Sequence, residues 1–439
     1  MSESSSAVLS APLVPPDVLA HVPTPAYVYD VAEVRRNHDA LREALPAGTG
    51  LYYSLKANAH PSLLTVLRER GAHPEVCSTG ELDAALGAHW PAADVLYTGP
   101  GKRDEEIGHA LRLGVRLFSV DSPYAIEQLD RLAGDVGVRA QCLLRVNDDQ
   151  PVPGQGLAMT GVASQFGADT GWVLDEPRRF ASRPHADVVG LHLYMGTNLG
   201  DIDALTGQFT RSLRTAKTLM AALAEHGVRI RVLDLGGGFG APFATEGERI
   251  DLRGLRPKLS ALLDQELPRR HDDGMTVVFE SGRYLVGTAG VLLAAVLDVK
   301  RSHGKDVVVL ESGINHLGGM SGMRRLPALN PRLVPAATDE DGAEREPALD
   351  ALVTGPLCTP LDTWSRAARL PALRPGDVLA VPNVGAYGLS ASLVAFLGHP
   401  LPAEAVIDGD RPDAAPAITR INLTRTTVPA PAGTHLGVK

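Results

Sequence analysis

Leu51-Tyr-Tyr-Ser-Leu-Lys56-Ala-Asn-Ala-His-Pro61-Ser-Leu-Leu-Thr-Val-Leu-Arg-Glu-Arg70 contains one unit of a repeating pattern. The apolar run Leu51–Ser54 suits a strand, and Pro61–Arg70 carries helical spacing. Similar runs lie on either side: Ala26–Tyr29, Val95–Tyr97, Leu117–Val120, Cys142–Val146, Val188–Leu193, Arg231–Leu235 and Thr276–Phe279. Segments with helical spacing, such as Ala32–Leu45, Thr79–Ala88 and Ile202–His226, separate them. Strand and helix alternating through about eight units point to a parallel (β/α)8 barrel rather than an open sheet. Such a barrel needs roughly 250 residues, which places it between about residue 45 and residue 283.

After Gly282 the texture changes. Val291–Val299, Asp306–Leu310, Ala351–Thr354, Asp377–Val381 and Ala417–Leu423 are strand-like and are punctuated by Gly and Pro, which predicts a second, mostly β domain over 284–439. Two domains also suit 439 residues. The Ser/Ala/Pro-rich start, within residues 1–23, is expected to be mobile, with the barrel domain spanning 24–283.

Hydrophobic residues at 44% and charged residues at 21% describe an ordinary globular protein. A net charge of −9 argues against a broad electrostatic grip on nucleic acid or an anionic membrane. Cys77, Cys142 and Cys358 cannot form a fully paired disulfide framework, and Met1-Ser-Glu-Ser-Ser-Ser lacks a basic segment leading into an apolar one. A cytoplasmic protein without membrane spans is the expectation.

Five segments carry chemistry. Lys56 closes a strand-like run, so it points into a barrel mouth where desolvation favours a Schiff-base amine; a solvated cap is the plainer reading of such a lysine alone. Leu233-Asp-Leu-Gly236-Gly237-Gly238-Phe-Gly240 leaves backbone N–H groups free to converge on an anion, although a tight turn would look the same. Val278-Phe-Glu280-Ser-Gly282-Arg283 supplies a carboxylate able to keep a pyridine nitrogen protonated and an arginine able to reach a phosphate. Val353-Thr-Gly-Pro-Leu-Cys358-Thr359-Pro-Leu-Asp362 sets a cysteine in a Gly-Pro turn, suited to proton donation. Val384-Gly-Ala-Tyr387-Gly-Leu-Ser390 sets a tyrosine between small residues. No metal-ligand pattern is proposed.

Taken in this order, the five segments resemble the fold-type III pyridoxal-phosphate decarboxylases (ornithine/arginine, diaminopimelate and related enzymes), from about Thr24 to Glu404. The resemblance implies a TIM barrel of alanine-racemase type, a β domain completed by the chain's first strand, and a homodimer with shared active sites. It implies Lys56 as the Schiff-base lysine, Gly236, Gly237 and Gly238 as the phosphate loop, and Glu280 as the pyridinium partner. It further implies Arg283 and Tyr387 at the phosphate, Gly282, Arg145 and Glu81 near the cofactor, and Cys358 as a proton donor from the neighbouring subunit.

Two departures are informative. In Gly190-Leu-His192-Leu-Tyr194-Met-Gly196-Thr197, Tyr194 takes the place of the histidine that stacks on the ring in many relatives, with Thr197 beside it. Thr359 replaces the acidic residue that follows the cysteine, which removes a partner for a substrate's distal ammonium. Substrate contacts are therefore assigned to Cys358, Thr359, Asp362, Tyr387 and, in Met320-Ser-Gly-Met-Arg324-Arg325, to Arg324, which suits a carboxylate or a pantetheine phosphate; a solvated basic turn is the alternative there. The text around Gly355–Asp362, Gly385–Pro400 and Gly313–His316 looks nearest to a natural-product branch acting on amino acids, on aminoacyl groups tethered to an acyl carrier protein, or on siderophore intermediates. A diaminopimelate-type decarboxylase, an amino-acid racemase of the same barrel and a cofactor-free binding partner are the rival readings.

Overall fold

The computed structural model describes residues 13–148, 160–318, 330–336 and 349–427. β1 (Ala26–Asp30) is followed by β2 (Gly50–Ser54), β3 (His73–Val76), β4 (Leu96–Tyr97), β5 (Leu117–Val120), β6 (Ala140–Asn147), the two-residue β7 (Ala168–Asp169), β8 (Ala186–Leu193), β9 (Val232–Asp234) and β10 (Thr276–Ser281). From β2 onward, leaving β7 aside, neighbours pair in parallel, and β5 pairing with β6 while β10 pairs with β2 closes the ring. Helices such as Pro61–Glu69, Thr79–Gly87, Pro123–Val136 and Ile202–Ala224 follow the strands.

Most of these strands are covered by helices outside and side chains inside, so their residues read as apolar runs rather than alternating ones. Leu96, Leu143 and Val189 meet Tyr52, Leu117 and Val232 in one cluster. Six different strands contribute these residues, and strands so arranged converge only at the barrel axis. The barrel is filled, and its chemistry is left to the C-terminal strand ends. Local signals set the entry to the helices: Ser122 Oγ accepts the Ala125 N–H and Asp201 Oδ1 the Ala204 N–H.

The second layer is a mixed sheet of β11 (Gly290–Ser302), β12 (Lys305–Leu310), β13 (Val334–Pro335), β14 (Leu349–Thr354), β15 (Thr363–Leu370), β16 (Val378–Val381), β17 (Ala403–Ile407) and β18 (Ala417–Arg420). Its order is β15-β14-β12-β11-β1-β17-β18, with β16 on β11 and β13 on β16. β1 therefore completes this sheet, antiparallel to β11 and parallel to β17. Its place in the barrel alternation is taken by β3. His73-Pro-Glu-Val76 has one β-branched residue and no apolar run, yet three of its four residues are buried. Closure between β2 and β4 overrides its weak strand propensity.

Within residues 1–23, the structure describes residues 13–23, which pack on the second sheet. Helix Pro16–His21 lays Val18, together with Val14 and Val22, on Val28, Leu293 and Ala403 of the sheet. Three buried valines, each worth about 1.5–3 kcal/mol, hold this segment down. No helix among the described residues is long and apolar enough to cross a membrane.

Candidate active site

Lys56, Tyr194, Thr197, Gly237, Gly238, Glu280, Gly282, Arg283 and Tyr387 line one cavity at the C-terminal end of the barrel, with Ser54, Asn198, Phe239 and Ser281. They come from the ends of four strands, β2, β8, β9 and β10, and one β-domain loop. That loop is stitched to the lysine turn: Asn58 Nδ2 donates to the Gly385 carbonyl at 2.9 Å, and Tyr387 N to the Ala57 carbonyl at 2.8 Å.

Lys56 sits in a single 3-10 turn, Leu55–Ala57, at the end of β2. Its Nζ is 3.5 Å from Glu75 Oε1, and the buried Glu75 also accepts from Thr98 Oγ1. Desolvation alone would lower the Lys56 pKa; attraction to Glu75, with Cys77, Tyr387 and Glu280, reverses this and holds it well above the ordinary lysine value. Burial pushes the Glu75 carboxyl up, but Lys56, the Ser54 and Thr98 hydroxyls and Arg145 outweigh it, so its net shift is downward. Glu75 is a site residue that the sequence reading missed, because its strand was not recognised.

Glu280, at the end of β10, is 2% exposed. Burial first, then the neighbouring Asp234 and Glu75, push its pKa well above the ordinary carboxylic value. Asp234 is also buried and is pushed up to about 7 by desolvation, while its Oδ1 accepts the Gly236 N–H at 2.8 Å. His192 Nε2 lies 3.4 Å from Glu280 Oε1. Both Asp234 and His192 stand inside the motifs quoted above, where only their neighbours drew notice.

The triple glycine after β9 packs where side chains cannot. Gly236 and Gly238 have φ of +65° and +108°, and a Cβ on Gly237 would lie 2.4 Å from the Glu280 carbonyl oxygen. The ring of Tyr194 lies against this backbone, its Cδ2 2.7 Å from where a Gly236 Cβ would be. Gln208 Nε2, from helix Ile202–Ala224, donates to the Gly237 carbonyl at 2.8 Å and fixes the loop. The Gly237 and Gly238 N–H groups find no acceptor among the described residues. Beside them the Arg283 guanidinium lies 4.9 Å from the Tyr387 ring centroid and 5.9 Å from that of Phe243. Free amides and a planar cation make an anion cradle. Gly237→Ala is expected to cost about 1–3 kcal/mol through overpacking, read as a lower Tm together with weakened phosphate-ester binding.

Other expected residues fall outside the cavity lining. Gly236 lies just behind it. Arg145 is buried at the end of β6, its guanidinium 4.7 Å from the Phe166 ring centroid. Glu81 caps its own helix, accepting the Cys77 N–H at 2.7 Å while Ser78 Oγ accepts the Glu81 N–H. Cys358 is exposed and, with Thr359, belongs to the loop after β14 rather than the lining. Asp362, expected at the substrate, is 2% exposed, and its oxygens accept the Ile314 N–H at 2.8 Å and the Leu357 N–H at 2.9 Å. Arg324 lies outside the described residues.

The model of the pyridoxal-dependent decarboxylases, pyridoxal binding domain, matches residues 31–287. The chain is 31% identical over 384 residues to the L-glutamyl-[BtrI acyl-carrier protein] decarboxylase of Niallia circulans, covering 87% of this chain and 88% of that protein. It is 33% identical over 399 residues to the diaminopimelate decarboxylase of Pseudomonas aeruginosa, covering 88% of each. The solved diaminopimelate decarboxylase of Helicobacter pylori in complex with L-lysine superposes with a TM-score of 0.77 at 26% identity, over 92% of this chain and 95% of that one.

Proposed function

The chain belongs to the pyridoxal-dependent decarboxylases, and from that premise we propose that it removes the α-carboxylate of an aminoacyl group tethered to an acyl carrier protein, in a natural-product pathway. The cavity fits the family's cofactor on its own evidence. A strand-end amine suits the aldehyde, the unpartnered Glu280 Oε1 marks a carboxyl able to face a ring nitrogen, and free glycine amides beside Arg283 suit the phosphate. When bound, pyridoxal phosphate supplies the electron sink that makes loss of CO2 accessible.

The chain's own residues divide the remaining work. Lys56 holds the aldehyde end and, as an ammonium beside Glu75, handles the proton exchanged when substrate arrives and product leaves. Glu280 holds the ring nitrogen in its protonated form. Gly237, Gly238, Arg283 and Tyr387 bind the phosphate, and the Tyr194 ring, resting on the glycine loop, presents a flat face to the cavity. Cys358 donates a proton to Cα from a second copy of the chain. Its exposure, and that of Leu361 and Leu393 on adjacent loops, supports a homodimer with shared sites. Cys358→Ala is expected to slow turnover by about 10²-fold and to yield some aldehyde by-product. An unchanged rate and product profile would remove it from the mechanism.

One observation carries the substrate assignment: the loop Leu357–Asp362 offers no free carboxylate. Thr359 stands where an acid would read a distal ammonium, and Asp362 is spent on two backbone N–H groups. A diamine-forming substrate would leave its second charge unmatched there. The N. circulans relative, whose substrate is a carrier-bound L-glutamyl group by its name, points the same way. Intact-mass analysis of aminoacyl carrier-protein thioesters, set against the free amino acids, tests the proposal: loss of CO2 from a thioester is expected. Decarboxylation of free meso-diaminopimelate alone would overturn it in favour of the second reading, which rests on the P. aeruginosa relative.

A further inference from the structure

Behind the cavity, three neighbouring strands bring polar side chains together at one level of the barrel. His192 on β8 pairs in register with Asp234 on β9, and Glu280 follows on β10. One ligand-type atom from each lies within 4.8 Å of the others. Glu280 Oε1, His192 Nε2 and Asp234 Oδ2 are all fully buried, and none has a hydrogen-bond partner. In a native interior such groups are rare and costly. Here they face one another, and the shortest approach is the 3.4 Å between His192 Nε2 and Glu280 Oε1. On the far side of the same imidazole, Nδ1 lies 2.9 Å from Ser119 Oγ, at the end of β5.

We propose that Ser119 and His192 form a fixed imidazole relay, in which the Ser119 hydroxyl donates to Nδ1 and the neutral ring presents Nε2–H to Glu280. His192 is then a positioning residue: it holds the Glu280 carboxylate from behind and orients it toward the cavity. The assignment follows from complementarity. A neutral imidazole carries one N–H, and burial, with Arg145, Lys56 and Lys102 nearby, keeps this ring neutral. A hydroxyl serves as donor or acceptor, whereas an ionised carboxylate only accepts. With pyridoxal phosphate bound, as the proposed function has it, the ring cation would hold Glu280 ionised, and the opposite tautomer would set two lone pairs against each other in a low-dielectric interior. A contact that is long before ligand binds, and tightens afterwards, is common at catalytic sites. Asp234, the other group facing Glu280, is tied through Oδ1 to the Gly236 N–H and so joins the relay to the glycine loop.

This inference rests on the proposed cofactor chemistry, and its test separates the two. Full-length protein is labelled with 15N-histidine, loaded with pyridoxal phosphate, and the His192 signal is assigned by its loss in His192→Gln. The neutral Nε2–H tautomer is expected; an Nδ1–H tautomer or an imidazolium overturns the relay. In parallel, pyridine-15N-labelled pyridoxal phosphate is bound to wild type, Ser119→Ala, His192→Gln and His192→Leu. His192→Leu is expected to move the ring-nitrogen signal toward the unprotonated value and to weaken cofactor binding about tenfold. His192→Gln, which still donates, should keep most of both. An unmoved ring-nitrogen signal in His192→Leu overturns the inference alone, and if that variant fails to fold the wild-type tautomer still decides. Wild-type protein that takes up no pyridoxal phosphate overturns the proposed function as well.

Discussion

Lys56→Ala protein is expected to lose the visible absorbance band that borohydride bleaches in the wild type, and its turnover should fall on the order of 10³-fold or more. Two roles meet in this one amine. On the proposed function it would anchor the aldehyde end covalently and would manage the protons that move as substrate enters and amine leaves. Among the described residues no other lysine lines the cavity to replace it. Lys102 is nearby but is consumed by the Gly99 and Ser119 carbonyls at 2.5 and 2.7 Å. The variant should fold, because the Lys56 side chain is exposed at the cavity and contributes no packing to the barrel core. Reduced and digested wild-type protein should carry the label on the Lys56 peptide. Label on another lysine, or turnover within tenfold of wild type, would refute the assignment.

Glu280→Gln is expected to leave the fold and much of the cofactor affinity in place while lowering decarboxylation by about 10²–10³-fold, corresponding to about 3–4 kcal/mol of lost electrostatic stabilisation. The amide is isosteric but cannot hold a ring nitrogen as a cation, so the loss falls on kcat rather than KM. It also removes one of three crowded carboxyl groups. Repulsion among Glu75, Asp234 and Glu280 therefore eases, and thermal stability should hold or rise slightly. A variant with reduced Tm and unimpaired kcat would invert this account and make Glu280 structural.

Much of this site was legible because its residues end apolar runs and adjoin Gly or Pro, where a barrel exposes its chemistry. Lys56, Gly237, Gly238, Glu280, Arg283 and Tyr387 were all recognisable in that way. Glu75 was not, since His73-Pro-Glu-Val76 becomes a strand only when its neighbours close the ring around it. Ser119 and His192 were hidden for another reason: each stands inside an otherwise apolar strand, where periodicity cannot tell an inward polar side chain from a packed one. Asp362 shows what spacing alone leaves out. A carboxylate four residues after a candidate proton donor invites a substrate role, yet its oxygens accept the Leu357 N–H of its own turn and the Ile314 N–H of a separate loop.

The stitching of the lysine turn to the loop that carries Tyr387 has a consequence for anyone recombining these proteins. Asn58 and Ala57 belong to one module and Gly385 and Tyr387 to the other, yet each bond crosses the boundary. A chimera joined near residue 283 would inherit a sound barrel whose reactive amine is aimed by a foreign module. Grafted halves would need the Asn58 amide, and loop backbones seated to meet it and the Ala57 carbonyl, before any exchange of substrate preference could show itself.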